Sequence, residues 1–376
     1  MGKLIPFNVP YVPEVSKKYV LKALESSHHQ GDGPFTAKAS KMVSDLVGGG
    51  HVLLTPSCTH ALEMASMLIN IGPGDEVILP SYTFTSAANA VTKFGATPVF
   101  VDIEMQTKGI DVNQVREAIT PKTKAISWVN YAGVAPDIEA LQCIAKEFNL
   151  ILIEDNAHGL GGSFNGKPLG SFGDFATQSF HATKNIQCGE GGALVINKSE
   201  FIGRAEIIRE KGTDRSKFVR GEIQKYQWVD RGSSYLLAES LSAVLLGQLE
   251  SFSDIQSQRR KIASKYQIEI LRNQSFAISD STIEAAHIVY LQFKNKAIMS
   301  KIKDQLNSEE IMASSHYHCL DSSWYWKRHK RKFKQNPKAE QVATTLLRLP
   351  IWYQMTDLEL SQVIEVTNHI LAKNLK

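Results

Sequence analysis

The stretch Gln178–Gly192, QSFHATKNIQCGEGG, sets one lysine, Lys184, beside a serine, a histidine and a threonine and ahead of a glycine-rich turn. Upstream, the apolar run Ile151–His158, ILIEDNAH, carries two carboxylates. A lysine amine condenses with an aldehyde to an imine, and a carboxylate keeps a pyridine ring protonated. These are the two protein groups that pyridoxal phosphate (PLP) chemistry needs most. On this chemistry Lys184 holds the cofactor and Asp155 tunes it.

A carboxylate at the end of an apolar run is poorly solvated unless a cation sits beside it, and a protonated pyridine nitrogen is such a cation. Asp155 would serve equally as a helix N-cap or as half of a buried ion pair. His158, three residues on, is close enough to hydrogen-bond a ring substituent. A metal reading of Asp155 with His158 lacks further ligands at short spacing. In TPSCTHAL, Thr55–Leu62, Ser57 and Thr59 stand where a helix begins, and hydroxyls with free amides there suit a phosphate. Plain N-capping explains the same residues. In PSYTF, Pro80–Phe84, an aromatic at a strand end is placed to stack on a flat ring, or to fill the core. Gly189, Gly191 and Gly192 let the backbone bend tightly near a ligand. No Lys-Ser or Lys-Thr closes a glycine loop, and GLGGSFNG lacks dinucleotide spacing and opens no helix, so nucleotide folds are disfavoured.

These residues need a scaffold that delivers strand ends and helix starts to one place. From His51 the chain alternates short apolar runs with helical spacing: HVLLT, CTHALEMASMLINI, EVILP, TSAANAVTKFG, TPVFVDI, VNQVREAIT, TKAISWV, IEALQCIAKEFN, LILIED. That rhythm predicts an α/β fold with a mostly parallel central sheet and helices on both faces. Ligands bind beyond the carboxyl ends of such strands, where the candidates lie. Residues 1–35 carry breakers around one helix, VSKKYVLKALESS, and GDGP is a turn that either connects elements or lines the site. After Tyr235 one or two long helices lead into IVYLQF, KIKDQLNSEE and LRLPIWY. The expected division is a large cofactor-binding domain, 1–245, and a smaller C-terminal α/β domain, 246–376.

The 376 residues carry a net charge of +4, which points to neither nucleic acid nor membrane and is compatible with an anionic ligand. The basic run KRHKRKFK, Lys327–Lys334, does not interleave aromatics for stacking, with Phe333 alone among its cations, and is expected to be a solvated loop. The four cysteines have no C-x-x-C spacing, so neither a zinc site nor a disulfide framework is expected. MGKLIPFNVP has no signal-like apolar core and no run reaches membrane-spanning length, so a cytoplasmic enzyme is the expectation.

The ordered segments TPSCTHALEMA, PSYTFTSAANA, IEDNAHGLGG, SFHATKN, EGGALVIN, REKGTDRSKF and WVDRGSSYLLAE resemble the DegT/DnrJ/EryC1/StrS family of sugar-nucleotide aminotransferases. The resemblance runs from IPFNVP to LRLPIWY. It is most specific over Glu210–Tyr235, which is similar to the subgroup producing dTDP-4-amino-4,6-dideoxygalactose. It implies a fold type I PLP-dependent transferase, transferring nitrogen from L-glutamate to C4 of dTDP-4-keto-6-deoxy-D-glucose in surface-polysaccharide biosynthesis. By matched position it implies that Lys184 forms the imine and Asp155 partners the pyridine nitrogen. His158 would stand beside the ring hydroxyl, and Phe84 would stack on the ring. Thr59, the His60 amide and Ser179 would contact the phosphate. Ser234 would reach the cofactor phosphate of a second subunit, which implies a homodimer with shared active sites. The sugar diphosphate needs cations. Lys211, Arg215, Arg220, Lys225 and Arg231 are candidates, or simply a solvated basic loop. His316 and Tyr317 are candidates for the sugar pocket. A histidine commonly follows that pair by four residues in the subgroup, and here Asp321 stands in its place.

Overall fold

The computed structural model describes residues 4–270, 276–278, 283–329 and 336–375. The helices in chain order are α1 (Glu14–Glu25), α2 (Pro34–Leu46), α3 (Cys58–Leu68), α4 (Thr85–Thr92), α5 (Val112–Ala118), α6 (Ile138–Phe148) and α7 (Ile202–Arg209). There follow α8 (Arg215–Val219), α9 (Glu239–Glu250), α10 (Phe252–Glu269), α11 (Lys296–Ser308), α12 (Trp324–His329), α13 (Pro337–Thr345) and α14 (Asp357–Asn374). The strands are β1 (His51–Thr55), β2 (Glu76–Pro80), β3 (Thr97–Val101), β4 (Thr123–Val129), β5 (Ile151–Asp155), the short β6 (Ser163–Phe164) and β7 (Lys167–Pro168), β8 (Phe175–Ser179) and β9 (Gly192–Ile196). A separate group comprises β10 (Phe276–Ile278), β11 (Val289–Phe293) and β12 (Leu346–Leu349).

Seven strands form the main sheet in the order β1-β9-β8-β5-β4-β2-β3. Only β9 runs against its neighbours, so the carboxyl ends of the other six share one edge. Side chains alternate across the sheet. Leu53, Val77, Ala125, Ile153, Phe175 and Leu194 face the layer that contains α3, α4 and α7. Leu54, Ile78, Ile126, Leu152, Ala176 and Val195 face the opposite layers, which include α2, α6 and α9. Both faces are therefore covered, which is why the strands read as continuous apolar runs.

Local chemistry starts the helices where they are needed. Ser57 caps α3, Asp111 caps α5 and Asp137 caps α6, each side-chain oxygen accepting from a first-turn amide. Asn149 ends α6 in the left-handed conformation. A capping box between Thr356 and Glu359 opens α14. The long helical stretch after Tyr235 is two helices, broken at Ser251. Gly247 on α9 lets the backbone at Ser16 of α1 approach closely, where a Cβ would meet Ser16.

The antiparallel sheet β10-β11-β12 packs with α10, α11 and α14 around its own apolar cluster, including Leu291, Ile302, Leu347 and Val363. Two features differ from the sequence reading, the start of α2 and the basic run, and one open alternative is resolved. Helix α2 follows directly after the GDGP turn, because Pro34 suits a first helical turn. That turn is a connector: Gly33 N–H donates to the Glu239 carboxylate at 3.1 Å, beside α9. Of the basic run, Lys327–His329 is the last turn of α12, and residues 330–335 lie outside the described residues.

Candidate active site

Asp155 and Glu154 end β5 side by side, and strand alternation sends them to opposite faces. Glu154, fully buried, accepts from the amides of Gly170 (2.7 Å) and Phe172 (3.0 Å) and from Asn130 Nδ2 (2.8 Å). It is a structural anchor for the loop before β8. Asp155 faces the other way, toward α3, and Oδ1 accepts only from Ala157 N–H at 3.1 Å. Oδ2 accepts no hydrogen bond among the described residues. Burial pushes the Asp155 carboxyl up from its ordinary range, while the Ala157 amide and the Lys184 charge pull it down.

Lys184 lies in the loop joining β8 to β9. That loop is held across its neck by Phe180 N–H to Gly191 O and Ala182 N–H to Gly189 O, both 2.8 Å. Asn185 Nδ2 donates to Leu160 O at 3.1 Å and to Gln256 Oε1 at 3.2 Å, tying the tip to α10. The Nζ of Lys184 has no hydrogen bond or ion-pair partner among the described residues. Burial brings its pKa down to about 8 against the opposing pull of Cys58 and Asp155, with the Arg348 charge lowering it further.

Lys184 and Asp155 share a cavity of about 530 Å³. Ser57, Cys58, Thr59, Ser86 and Ser179 line it, and so do His158, His316, Tyr317 and Arg348. Phe84 stands at the rim with 56% of its surface exposed, its ring 6.0 Å from that of Tyr317. Gly192 opposes both Thr55 and Ser179 in the sheet, and a Cβ there would collide with the Ser57 and Cys58 backbone. Only glycine lets the N-terminus of α3 sit this close to the strand ends.

His158 is buried. The Ala132 amide donates to its Nδ1 (3.4 Å), which leaves the ring proton on Nε2, facing Tyr317 Oη at 3.2 Å. Burial, then the Lys184 charge, holds His158 well below its ordinary pKa, so it is neutral. Tyr131 Oη meets His316 Nδ1 at 3.1 Å, and Tyr82 Oη donates to the His316 carbonyl at 2.6 Å. These bonds fix the pair His316–Tyr317 over the cavity.

The expected site residues divide clearly. Thr59, Phe84, Asp155, His158, Ser179, Lys184, His316 and Tyr317 line one cavity. The His60 amide donates to Ser57 Oγ at 3.2 Å, so in this chain it acts in the helix cap. Ser234 is exposed and away from that cavity. Arg215 and Arg220 line a different cavity of about 340 Å³, where Arg215 pairs with Glu210 and Arg220 with Glu206 and Glu222. Lys211 pairs with Glu210, and Lys225 and Arg231 are exposed. Within one chain the basic segment is thus not brought to Lys184, because neighbouring carboxylates hold its guanidiniums. Asp321 is buried, accepting from Ser81 Oγ (2.5 Å) and Asn336 Nδ2 (2.6 Å), and does not line the Lys184 cavity.

Sequence reasoning missed Cys58, Ser86, His287 and Arg348, and Phe7 and Asn8 from the N-terminal segment. Asn8 Nδ2 donates to Ala182 O at 3.2 Å, so this segment is part of the wall. A Ser-x-Thr helix start was the available signal for Cys58. The others carry no local pattern.

The residues present fit PLP. The open carboxylate oxygen of Asp155 and the unpaired Lys184 amine face one cavity, and a helix N-terminus with uncommitted Cys58 and Thr59 amides supplies a phosphate cradle. Comparisons with known proteins agree. A Bacillus subtilis spore coat polysaccharide biosynthesis protein is 31% identical over 381 residues, covering 98% of this chain and 97% of its own. A Streptococcus pneumoniae protein assigned as a sugar aminotransferase, solved in PLP and PMP forms, superposes with a TM-score of 0.90 at 26% identity over 99% of both chains in the PMP form. A Brucella abortus DegT DnrJ EryC1 StrS aminotransferase superposes with a TM-score of 0.85 at 27% identity, covering 96% and 95% of the two chains. The fold is therefore that of the fold type I PLP enzymes. With a family model matching residues 11–368, the chain belongs to the DegT/DnrJ/EryC1/StrS aminotransferase family, whose members depend on PLP.

Proposed function

We propose that this sugar aminotransferase moves an amino group from L-glutamate to C4 of dTDP-4-keto-6-deoxy-D-glucose, giving dTDP-4-amino-4,6-dideoxy-D-galactose. The observation that carries the transamination is the Lys184 amine, brought down to about 8 in a cavity shared with the Asp155 carboxylate. The substrate rests on the resemblance of Glu210–Tyr235 to one subgroup of the family. The Bacillus subtilis relative's role in spore coat polysaccharide biosynthesis supports a surface polysaccharide as the destination.

When bound, PLP supplies a carbon that carries nitrogen between donor and acceptor and a ring that draws electron density from the reacting centre. The protein then has four tasks. Asp155 Oδ2 holds the pyridine proton. Lys184 Nζ, whose amine is freed as pH rises through about 8, holds and hands on the proton at the reacting centre. The Nε2 proton of His158 is placed for a ring substituent and is steadied by Tyr317. Phe84 and the N-terminus of α3 position the ring and its phosphate. Ser234, exposed in one chain, reaches the site of a second subunit in a homodimer. Among the described residues no helix is long and apolar enough to cross a membrane, and the reading is completed by a cytoplasmic location.

The test is incubation of the PLP-loaded protein with L-glutamate and a panel of keto-sugar nucleotides, with product identification. The expected product is the dTDP-linked 4-amino galactose epimer. Exclusive amination of a C3-keto or UDP-linked sugar, or formation of the glucose epimer, replaces the substrate assignment.

A further inference from the structure

Arg348 is on β12, where alternation turns Leu347 and Leu349 into the core of the small sheet and Arg348 the other way, into the Lys184 cavity. Its Nη2 donates to Ser315 O (3.2 Å) and Ser314 Oγ (3.4 Å), and the guanidinium lies 4.6 Å from the centre of the Phe7 ring. Nε is sealed from solvent without a partner, and Nη1 makes no hydrogen bond among the described residues. The groups that face it are the phenols of Tyr82, Tyr131 and Tyr317, the imidazoles of His158, His287 and His316 and the Lys184 amine, and burial lowers its pKa below the ordinary arginine value. Among the described residues no carboxylate lies within ion-pair distance of it.

That is an unusual state for a partly buried cation, since desolvating a guanidinium without a counter-charge is costly. The two fully buried arginines among the described residues are provided for. Arg209 pairs with Asp32, and Arg259 donates to the carbonyls of Ala286 (2.9 Å) and His287 (3.0 Å). Arg348 alone of these three faces the cavity of Lys184. The missing anion must arrive with a ligand.

We propose that Arg348 holds a carboxylate of the amino-acid donor. This deepens the transamination reading and rests on it. The planar fork of a guanidinium matches a carboxylate. The N-terminus of α3 supplies a phosphate cradle of its own, so the cofactor does not need this cation. In an amino acid the carboxylate is one bond from the carbon that carries nitrogen. In a 4-keto sugar nucleotide the diphosphate is separated from the reacting carbon by the width of the sugar ring. An anion site in the same small cavity as Lys184 therefore suits the donor, while the sugar diphosphate lies further out. Arg348 makes the cavity select donors that are acids, and the keto-sugar half-reaction leaves it without a charged partner.

The experiment compares PLP-loaded wild type with Arg348→Gln and Arg348→Lys, following each half-reaction by absorbance and binding of glutarate by calorimetry. For Arg348→Gln, kcat/KM with L-glutamate falls about 100-fold and glutarate binds at least about tenfold more weakly. The reaction of the pyridoxamine form with the keto-sugar nucleotide stays within about threefold, and Arg348→Lys recovers part of the glutamate rate. Equal losses in both half-reactions, or a loss confined to the sugar half-reaction, overturn the proposal, the latter in favour of a diphosphate anchor. Unchanged glutarate binding overturns it as well. If wild type reacts with no amino acid at all, the transamination reading fails, and glutarate binding still reports on Arg348 independently.

Discussion

Two sets of cations in this molecule meet opposite fates. Along Arg204–Arg220 each guanidinium already has an acid: Arg204 with Asp230, Arg209 with Asp32, Arg215 with Glu210, Arg220 with Glu206. In the cavity beyond the strand ends, neither Lys184 nor Arg348 makes an ion pair among the described residues, although Asp155 shares the cavity with Lys184. The more exposed pairs of the first kind, such as Arg220–Glu222, are worth about 0–1 kcal/mol, and all of that kind leave little field for a ligand. Partly buried cations without an ion pair, the second kind, cost stability and are tolerated because the surrounding sheet and aromatic wall hold them in place. A run of positive residues in a sequence is therefore a poor guide to anion binding. What matters is whether the protein has already provided the counter-charge.

Removing the cavity's own nucleophile should break this contrast most severely. Lys184→Ala is expected to lower turnover by about 10⁴-fold and to abolish borohydride trapping of the cofactor; measured turnover within tenfold of wild type contradicts the role given to Nζ. Asp155→Asn keeps the shape and removes the charge. A loss of about 100-fold in kcat is expected, together with weaker PLP retention on dialysis. Gly192→Ala forces a methyl against the Ser57–Cys58 backbone and should push α3 off the strand ends, destabilising by about 1–3 kcal/mol in thermal unfolding and weakening PLP affinity.

The pH dependence sharpens the comparison. Burial brings the Lys184 ammonium down to about 8, so its amine becomes nucleophilic as pH rises through that value. Uptake of PLP by apoprotein should climb with a midpoint near 8, well below the range of an exposed lysine; a flat profile between about pH 7 and 9 removes the desolvation argument. The smallest effect belongs to the paired set. Arg220→Ala should change the glutamate half-reaction by less than about twofold and stability by less than about 0.5 kcal/mol, read by stopped-flow absorbance and thermal unfolding.

Much of the site could be read before the fold was known, because its chemistry follows apolar runs directly. Lys184 comes just after β8, Asp155 ends β5, and Thr59 and Phe84 open helices after β1 and β2. In a parallel sheet those positions converge by topology alone. Glu154 and Asp155 could not be told apart by type, only by which face each takes, and that parity is set by the core contacts of Leu152 and Ile153. Arg348 and His287 escaped because they arrive on or beside the second sheet, which returns to the first through tertiary packing and leaves no spacing signal. Helix α2 escaped because the breakers before it masked its start. That the basic segment's guanidiniums are already paired within one chain could not be read either, because their acids, Glu206 and Glu210, lie before the segment in sequence and pair back to it in space.

The stacking of Arg348 on Phe7 joins almost the first described residue to one near the end of the chain. During synthesis, Phe7 and Asn8 emerge long before the strand that completes their side of the chamber. A nascent polypeptide can assemble the main sheet, Lys184 included, while the donor's seat does not yet exist. Until β12 is made, a chain that already carries Lys184 and Asp155 lacks the residue proposed to recognise what is meant to feed it.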